Sequence, residues 1–321
     1  MTGPARPGRL SLGMILSRVR GRAATKGRGV QFLTDPRGWW FEPFSGSEVM
    51  QVALVAGLLT VLATSVVGTW VVLRGMSFLG DALAHGVLPG IAIAFLTGGN
   101  VTLGAMVAAL AMVGGVNLIR TWSPLPDDTS IGVLFVGFLA LAVVIMSSHS
   151  SSYSGDLNRF LFGQITGIDG LDLRRQAIAA AVSLIGVTLF YRGLLVMTFD
   201  EVQARILGLR PALAHAALLG LLAYAIVSSF ETVGNLLVFA FLVAPPATAT
   251  LLVRRVPLIM ATSVGLGAFA VVLGLLLSYH YDLAGSATMA LVAVVVFLVV
   301  VAGRALWTGV TQARRPVRAA I

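Results

Sequence analysis

Residues 49–73 read VMQVALVAGLLTVLATSVVGTWVVL, with no charged side chain until Arg74 closes the run. As a helix rising about 1.5 Å per residue, the run reaches roughly 37 Å, enough to cross a hydrocarbon layer about 30 Å thick. A stretch this long and this apolar reads as a transmembrane helix, and the rest of the chain repeats the pattern. Further runs cover 78–97, 101–119, 131–147, 173–191, 212–232, 234–253, 256–279 and 283–303. Short polar breaks divide them: Gly-Gly-Asn at 98–100, Ser-Pro-Leu-Pro-Asp-Asp at 123–128, a Ser-rich stretch at 147–154, and Val256-Pro257. The expected fold is all-α, a polytopic transmembrane helical bundle of eight or nine spans. A short surface helix is expected at 156–163, inside the longest break.

Composition points the same way. The 321 residues are 57% hydrophobic and 11% charged, whereas a soluble domain carries about a quarter charged residues. There is too little polar side chain to cover a water-exposed surface, so the partner for most of the chain is the lipid bilayer. The net charge of +9 is not a nucleic-acid signal, because the basic residues sit in the first 37 positions, at helix ends and in the tail Arg314, Arg315 and Arg318. Cysteine is absent, which leaves His, Asp, Glu and backbone oxygen for any metal chemistry. No Gly-x-x-x-x-Gly-Lys-Ser/Thr motif occurs, so the chain is not expected to be an enzyme or to handle nucleotide itself.

The chain divides into three segments. Residues 1–48 form a basic leader ending in an interfacial stretch, where Trp39, Trp40, Phe41 and Phe44 suit headgroup depth; they lack the apolar core and cleavage site of a signal peptide. Residues 49–303 are the membrane domain, and 304–321 a basic cytoplasmic tail. If nine spans alternate, Arg74, Arg120, Arg192, Arg205, Arg210, Arg254, Arg255 and Arg304 fall on one side, which should be cytoplasmic. The Arg-rich leader then lies on the other side, against the same rule. Either one run is re-entrant or the leader is tolerated there.

The residues a lipid-embedded helix should not carry are the informative ones. In Met76-Ser-Phe-Leu-Gly-Asp81-Ala-Leu-Ala-His85-Gly-Val-Leu-Pro89-Gly90 an acid and an imidazole stand four residues apart, hence on one helix face. Ionisable groups in a span cost several kcal/mol unless paired or facing a polar cavity. Asp and His also suit first-row divalent ions. One helix offers two such ligands, and two copies about a two-fold axis would offer four. The bland alternative is that Asp81 and His85 pair with each other or with a neighbouring helix. Pro89 should loosen the helix, and Pro245-Pro246 should kink or break theirs.

Elsewhere, Phe199-Asp-Glu-Val-Gln-Ala-Arg-Ile-Leu-Gly208 sits in a loop too short for a domain. Asp200 and Glu201 are placed to start a short helix that ends at Gly208. On the opposite side Glu231, His280 and Asp282 lie at turns. They read either as an acidic, imidazole-bearing vestibule for a cation or as turn caps and headgroup contacts. His149 reads as a solvated loop residue and His215 as structural.

The segment Arg74–Gly90 resembles the signature of the metal-ion permeases of ABC transporters, the zinc, manganese and iron group. Other stretches match in the family's order: Asp127-Asp-Thr-Ser-Ile-Gly132, Asp156-Leu-Asn-Arg-Phe-Leu-Phe-Gly163, Val233-Gly-Asn-Leu-Leu-Val238 and Ala244-Pro-Pro-Ala-Thr-Ala249. The likeness covers about 45–303; the leader is longer than the family leads one to expect. It implies that Asp81 and His85 contribute the transmembrane metal site. It implies too that Asp200, Glu201, Ala204, Arg205 and Gly208 belong to a helix that couples the permease to an ATPase.

The resemblance further implies an importer permease of the inner (plasma) membrane, moving manganese or zinc, or iron, into the cytoplasm as a homodimer. Its partners would be two copies of an ATP-binding subunit, which hold and hydrolyse the ATP, and an extracytoplasmic metal-binding protein. No cofactor is expected to stay bound. The alternatives are an ion-coupled secondary metal transporter, for which the chain shows no convincing internal repeat, and an ABC permease for metal chelates. A large chelate would need a wide path rather than charged ligands in the span.

Overall fold

The computed structural model describes residues 36–122, 127–147 and 168–313. The leader 1–35, His149, the surface helix expected at 156–163 and the end of the tail lie outside the described residues. The elements are α1 (Pro36–Gly46), α2 (Glu48–Leu73), α3 (Ser77–Gly86), α4 (Leu88–Leu96), α5 (Val101–Trp122), α6 (Asp127–Ser147), α7 (Gly170–Phe199), α8 (Glu201–Ile206), α9 (Pro211–Val233), α10 (Asn235–Leu252), α11 (Val256–Tyr281) and α12 (Gly285–Ala313). Among the described residues there is no strand. Nine stretches are long and apolar enough to cross a membrane, α3 and α4 together making one.

Helix α2 is the axis of the bundle and packs on α7, α9, α10 and α11. Its inward side is unusually hydroxylic. Thr60, Thr64, Ser65 and Thr69 are fully buried, and Thr60, Thr64 and Thr69 bond back to carbonyls one turn earlier in their own helix. In hydrocarbon this satisfies each hydroxyl locally, and Thr60 has capacity left for a neighbour. Gln176 of α7 uses it. Its Nε2 donates to Thr60 Oγ1 at 3.1 Å and to Ser229 Oγ of α9 at 2.9 Å, so one amide ties three helices.

Pro245 and Pro246 do not break α10, which runs through both. A proline lacks the N–H that would bond to the carbonyl four residues back, which leaves Phe241 and Leu242 with unserved acceptors. Ser65 Oγ of α2 donates to the Phe241 carbonyl at 3.2 Å. One turn along α2, Gly68 lies directly against the Leu242 carbonyl, where any Cβ would collide with that oxygen. Helix α2 thus supplies a donor for one of the two freed carbonyls, and the close approach at Gly68 packs the two central helices backbone to backbone.

Two boundaries differ from the sequence reading. Helix α7 extends well past Arg192, because Gly193–Phe199 is apolar and continues the helix. Helix α12 continues beyond 303, and Arg304 donates to the Leu251 carbonyl at the C-terminal end of α10. A cation suits that end of a helix dipole. Helix α1 packs on α2 and α11, so it lies where α11 finishes. The three spans α9, α10 and α11 put α8 at the opposite end.

Candidate metal pathway and coupling surface

Asp81 and His85 lie on α3, and both are half-buried. The span they belong to is divided at Val87 into α3 and α4. Pro89 gives the reason, since it cannot donate to the carbonyl of His85 one turn earlier. The candidate site therefore stands where the helix is already opened. His85 Nδ1 is 3.1 Å from Nδ2 of Asn235, the first residue of α10. The His85 ring also lies tilted against Phe135 of α6 at 5.8 Å between centroids, and Phe135 meets Phe78 edge-on at 5.7 Å. Asp81 does not pair with His85, and among the described residues it has no hydrogen bond or ion pair. The mutual pairing that the spacing allowed is not what the fold does.

No group of three or more His, Asp or Glu side chains able to hold a metal occurs among the described residues. One chain places here a carboxylate, an imidazole and, from Asn235, an amide in contact with that imidazole. In the sequence Asn235 stands out only as one member of the stretch Val233–Val238. The signal that singles it out is a primary amide inside an otherwise apolar run, the same kind of anomaly that exposes Asp81.

At the other end, α8 forms as the sequence leads one to expect. Asp200 is its N-cap and accepts from the Gln203 N–H at 2.9 Å. The helix closes on Gly208, whose φ of 71° is the left-handed region open to glycine. Gly208 N–H bonds to the Arg205 carbonyl and Leu209 N–H to that of Ala204, a Schellman closure. Ala204 is buried at 1% and faces the bundle. Phe199, Val202, Ile206 and Leu207 are exposed, and Arg205 is exposed beside them. The side chain of Glu201 lies outside the described residues.

Of the three residues at the outer turns, His280 and Asp282 have different surroundings. His280 is only 4% exposed; its Nδ1–H donates to the Leu276 carbonyl at 2.9 Å, and its ring stacks on Trp39 of α1 at 4.6 Å. Asp282 is exposed and ends α11 in the left-handed conformation, φ 53°. The side chain of Glu231 lies outside the described residues. His215 is buried at 3% exposure near the start of α9.

Nine candidate spans among the described residues, an Asp/His pair within one of them and a capped helix with an exposed apolar face define a polytopic helical membrane protein. The chain belongs to the ABC 3 transport family, whose model matches residues 46–304. It is 36% identical over 250 residues to the manganese transport system membrane protein MntC of Listeria monocytogenes, covering 78% of this chain and 89% of the relative. It is 31% identical over 264 residues to a probable iron transport system membrane protein of Haemophilus influenzae, covering 82% and 96%. Among solved structures it resembles PsaBC from Streptococcus pneumoniae in complex with Fab, with a TM-score of 0.72 and 32% identity over 81% of this chain and 94% of that one. It is therefore an integral membrane permease of an ABC transporter, a transport component rather than a catalytic one. Helix α1 lies almost wholly before the matched region.

Proposed function

We propose that this chain is the permease of an importer that carries a divalent first-row metal ion, manganese or zinc or iron, across the plasma membrane into the cytoplasm. The observation that carries the cargo is Asp81, an unpaired carboxylate in mid-span, one helical turn from an imidazole whose ring is held by Asn235. A carboxylate in that position is costly against lipid and useful against a cation. The transition-metal names of the relatives agree with this chemistry.

Two copies complete the site. Asp81 is half-buried within one chain, so its face needs a cover other than hydrocarbon. On α10, the helix that begins with Asn235, Leu236, Ala240, Val243 and Ala247 line one wall of an apolar groove of about 640 Å³; α12 supplies the other with Ala290 and Val294. The groove is continuous with the site through α10, and its small side chains admit a close helix neighbour. A second copy seated there would bring two Asp and two His to one axis.

At the cytoplasmic end, the uncovered Phe199, Val202, Ile206 and Leu207 on and beside α8 form the surface for an ATP-binding subunit, one on each copy. That subunit hydrolyses the ATP. An extracytoplasmic metal-binding protein delivers the ion at the other end. The test is reconstitution. The chain alone in liposomes, given a proton or sodium gradient, takes up no manganese or zinc, and uptake begins when the ATPase and ATP are added. Gradient-driven uptake by the chain alone would sink the assignment.

A further inference from the structure

Asn235 is 5% exposed, and its amide nitrogen sits 3.1 Å from His85 Nδ1. Its Oδ1 is buried with no hydrogen-bond partner. A buried acceptor without a donor costs about 1–3 kcal/mol, so the orphaned oxygen needs an account. The two ends of the amide set different tautomers on His85. An amide N–H can only donate, so in the orientation seen the Nδ1 of His85 accepts. A neutral imidazole carries one proton, which must then reside on Nε2. In that form neither ring nitrogen can bind a cation: one is occupied by Asn235, the other protonated. A half-turn of the amide reverses this. Oδ1 then accepts from Nδ1–H, and Nε2 has a free lone pair.

We propose that Asn235 is the positioning residue of the pathway, fixing His85 as the Nδ1–H tautomer through its Oδ1 so that the imidazole meets the metal through Nε2. The inference rests on reading Asp81 and His85 as the metal site. Metal-bound imidazoles generally donate their second N–H to an oxygen acceptor, which fixes both ring orientation and tautomer. Here the acceptor comes from a different helix. Because Asn235 opens α10, whose face lines the groove beside the site, binding at His85 and the seating of α10 are joined through one hydrogen bond.

The experiment uses the full chain in lipid nanodiscs, with isotopically labelled histidine and NMR-active cadmium as the probe. Scalar coupling between cadmium and Nε2 of His85, with Nδ1 still protonated, is expected; coupling through Nδ1 overturns the proposal. Asn235→Leu should weaken cadmium binding roughly 10–100-fold, with Asn235→Asp, which keeps an oxygen acceptor, recovering most of the loss. Wild-type affinity in Asn235→Leu overturns the positioning role while the metal site stands. Wild-type affinity in both Asp81→Ala and His85→Ala removes the site itself, and the proposal with it. Should Asn235→Leu not assemble, the coupling pattern of the wild-type chain decides.

Discussion

Two histidines, His85 in α3 and His280 at the end of α11, look alike in the sequence: each stands four residues or fewer from an aspartate at an interruption of an apolar run. The fold treats them oppositely. His280 is almost fully buried, has Nδ1 committed to the Leu276 carbonyl and has its ring face covered by Trp39. His85 is half-buried and has one nitrogen set against a reversible amide, with an unpaired carboxylate one turn away. A polar side chain whose capacity is used up by its own chain is part of the packing. One left with capacity in mid-span is available to a cargo.

The largest effect should come from removing that spare capacity. Asp81→Ala or His85→Ala should lower metal-dependent uptake to background in cells lacking their own importer, while the protein still accumulates. Neither change removes a large apolar contact, and both relieve an ionisable group in the membrane. His280→Ala should leave uptake per assembled transporter at the wild-type level. Uptake by Asp81→Ala equal to wild type, with protein levels measured alongside, would erase the distinction between the two regions.

Next in size is α8, the proposed coupling helix, where the same reasoning applies to a surface. The polar ends of α8 are fully used by Asp200 and Gly208, but its apolar side is not. Gly208→Val forces a branched residue into the left-handed region, at about 1–2 kcal/mol. With six residues in α8, the closure should open. The expected outcome is loss of ATPase co-purification and of ATP-driven uptake, with metal binding at Asp81 and His85 retained. Retained co-purification and uptake would show that 199–208 is not the coupling element.

Which features are legible in the sequence depends on which interactions are local. The spans are legible because each carries its own hydrophobic run, and α8 because its Asp cap and Gly closure are encoded within nine residues of one another. Asp81 and His85 are legible as chemical anomalies on one helix. Three features are not. In the sequence Arg192 closes a span that in the fold continues through Gly193–Phe199. The double proline reads as a kink or a break, since Ser65 lies far away in sequence and nothing local announces that it serves the Phe241 carbonyl. Asn235 meets His85 across 150 positions. Long-range satisfaction of backbone and side-chain polar groups decides such cases, and only packing reveals it.

The support that α2 gives to the prolines of α10 should be measurable as a smaller effect. Ser65→Ala leaves the Phe241 carbonyl without its donor, and the loss should be about 1 kcal/mol, the scale of hydrogen bonds between membrane helices. Thermal unfolding in a fixed lipid measures it. An unchanged midpoint would mean that α10 tolerates its prolines without help from α2.

The smallest effect belongs to the outer histidine and its contrast with His85. Trp39→Leu keeps apolar bulk at a buried position but removes the ring stacked on His280. Aromatic pairs of this kind contribute about 0.5–1.5 kcal/mol beyond the area they bury, so a loss of that size is expected in thermal unfolding. Uptake normalised to assembled protein should not move, because His280 already donates to Leu276 and faces covered space. Combining Trp39→Leu with His280→Leu separates the ring contact from simple shrinkage: the double variant should lose less stability than the two single losses summed, since both remove the same stack. A fall in uptake with stability unchanged would instead draw the outer cluster into the cation's route, and His280 would then belong with His85.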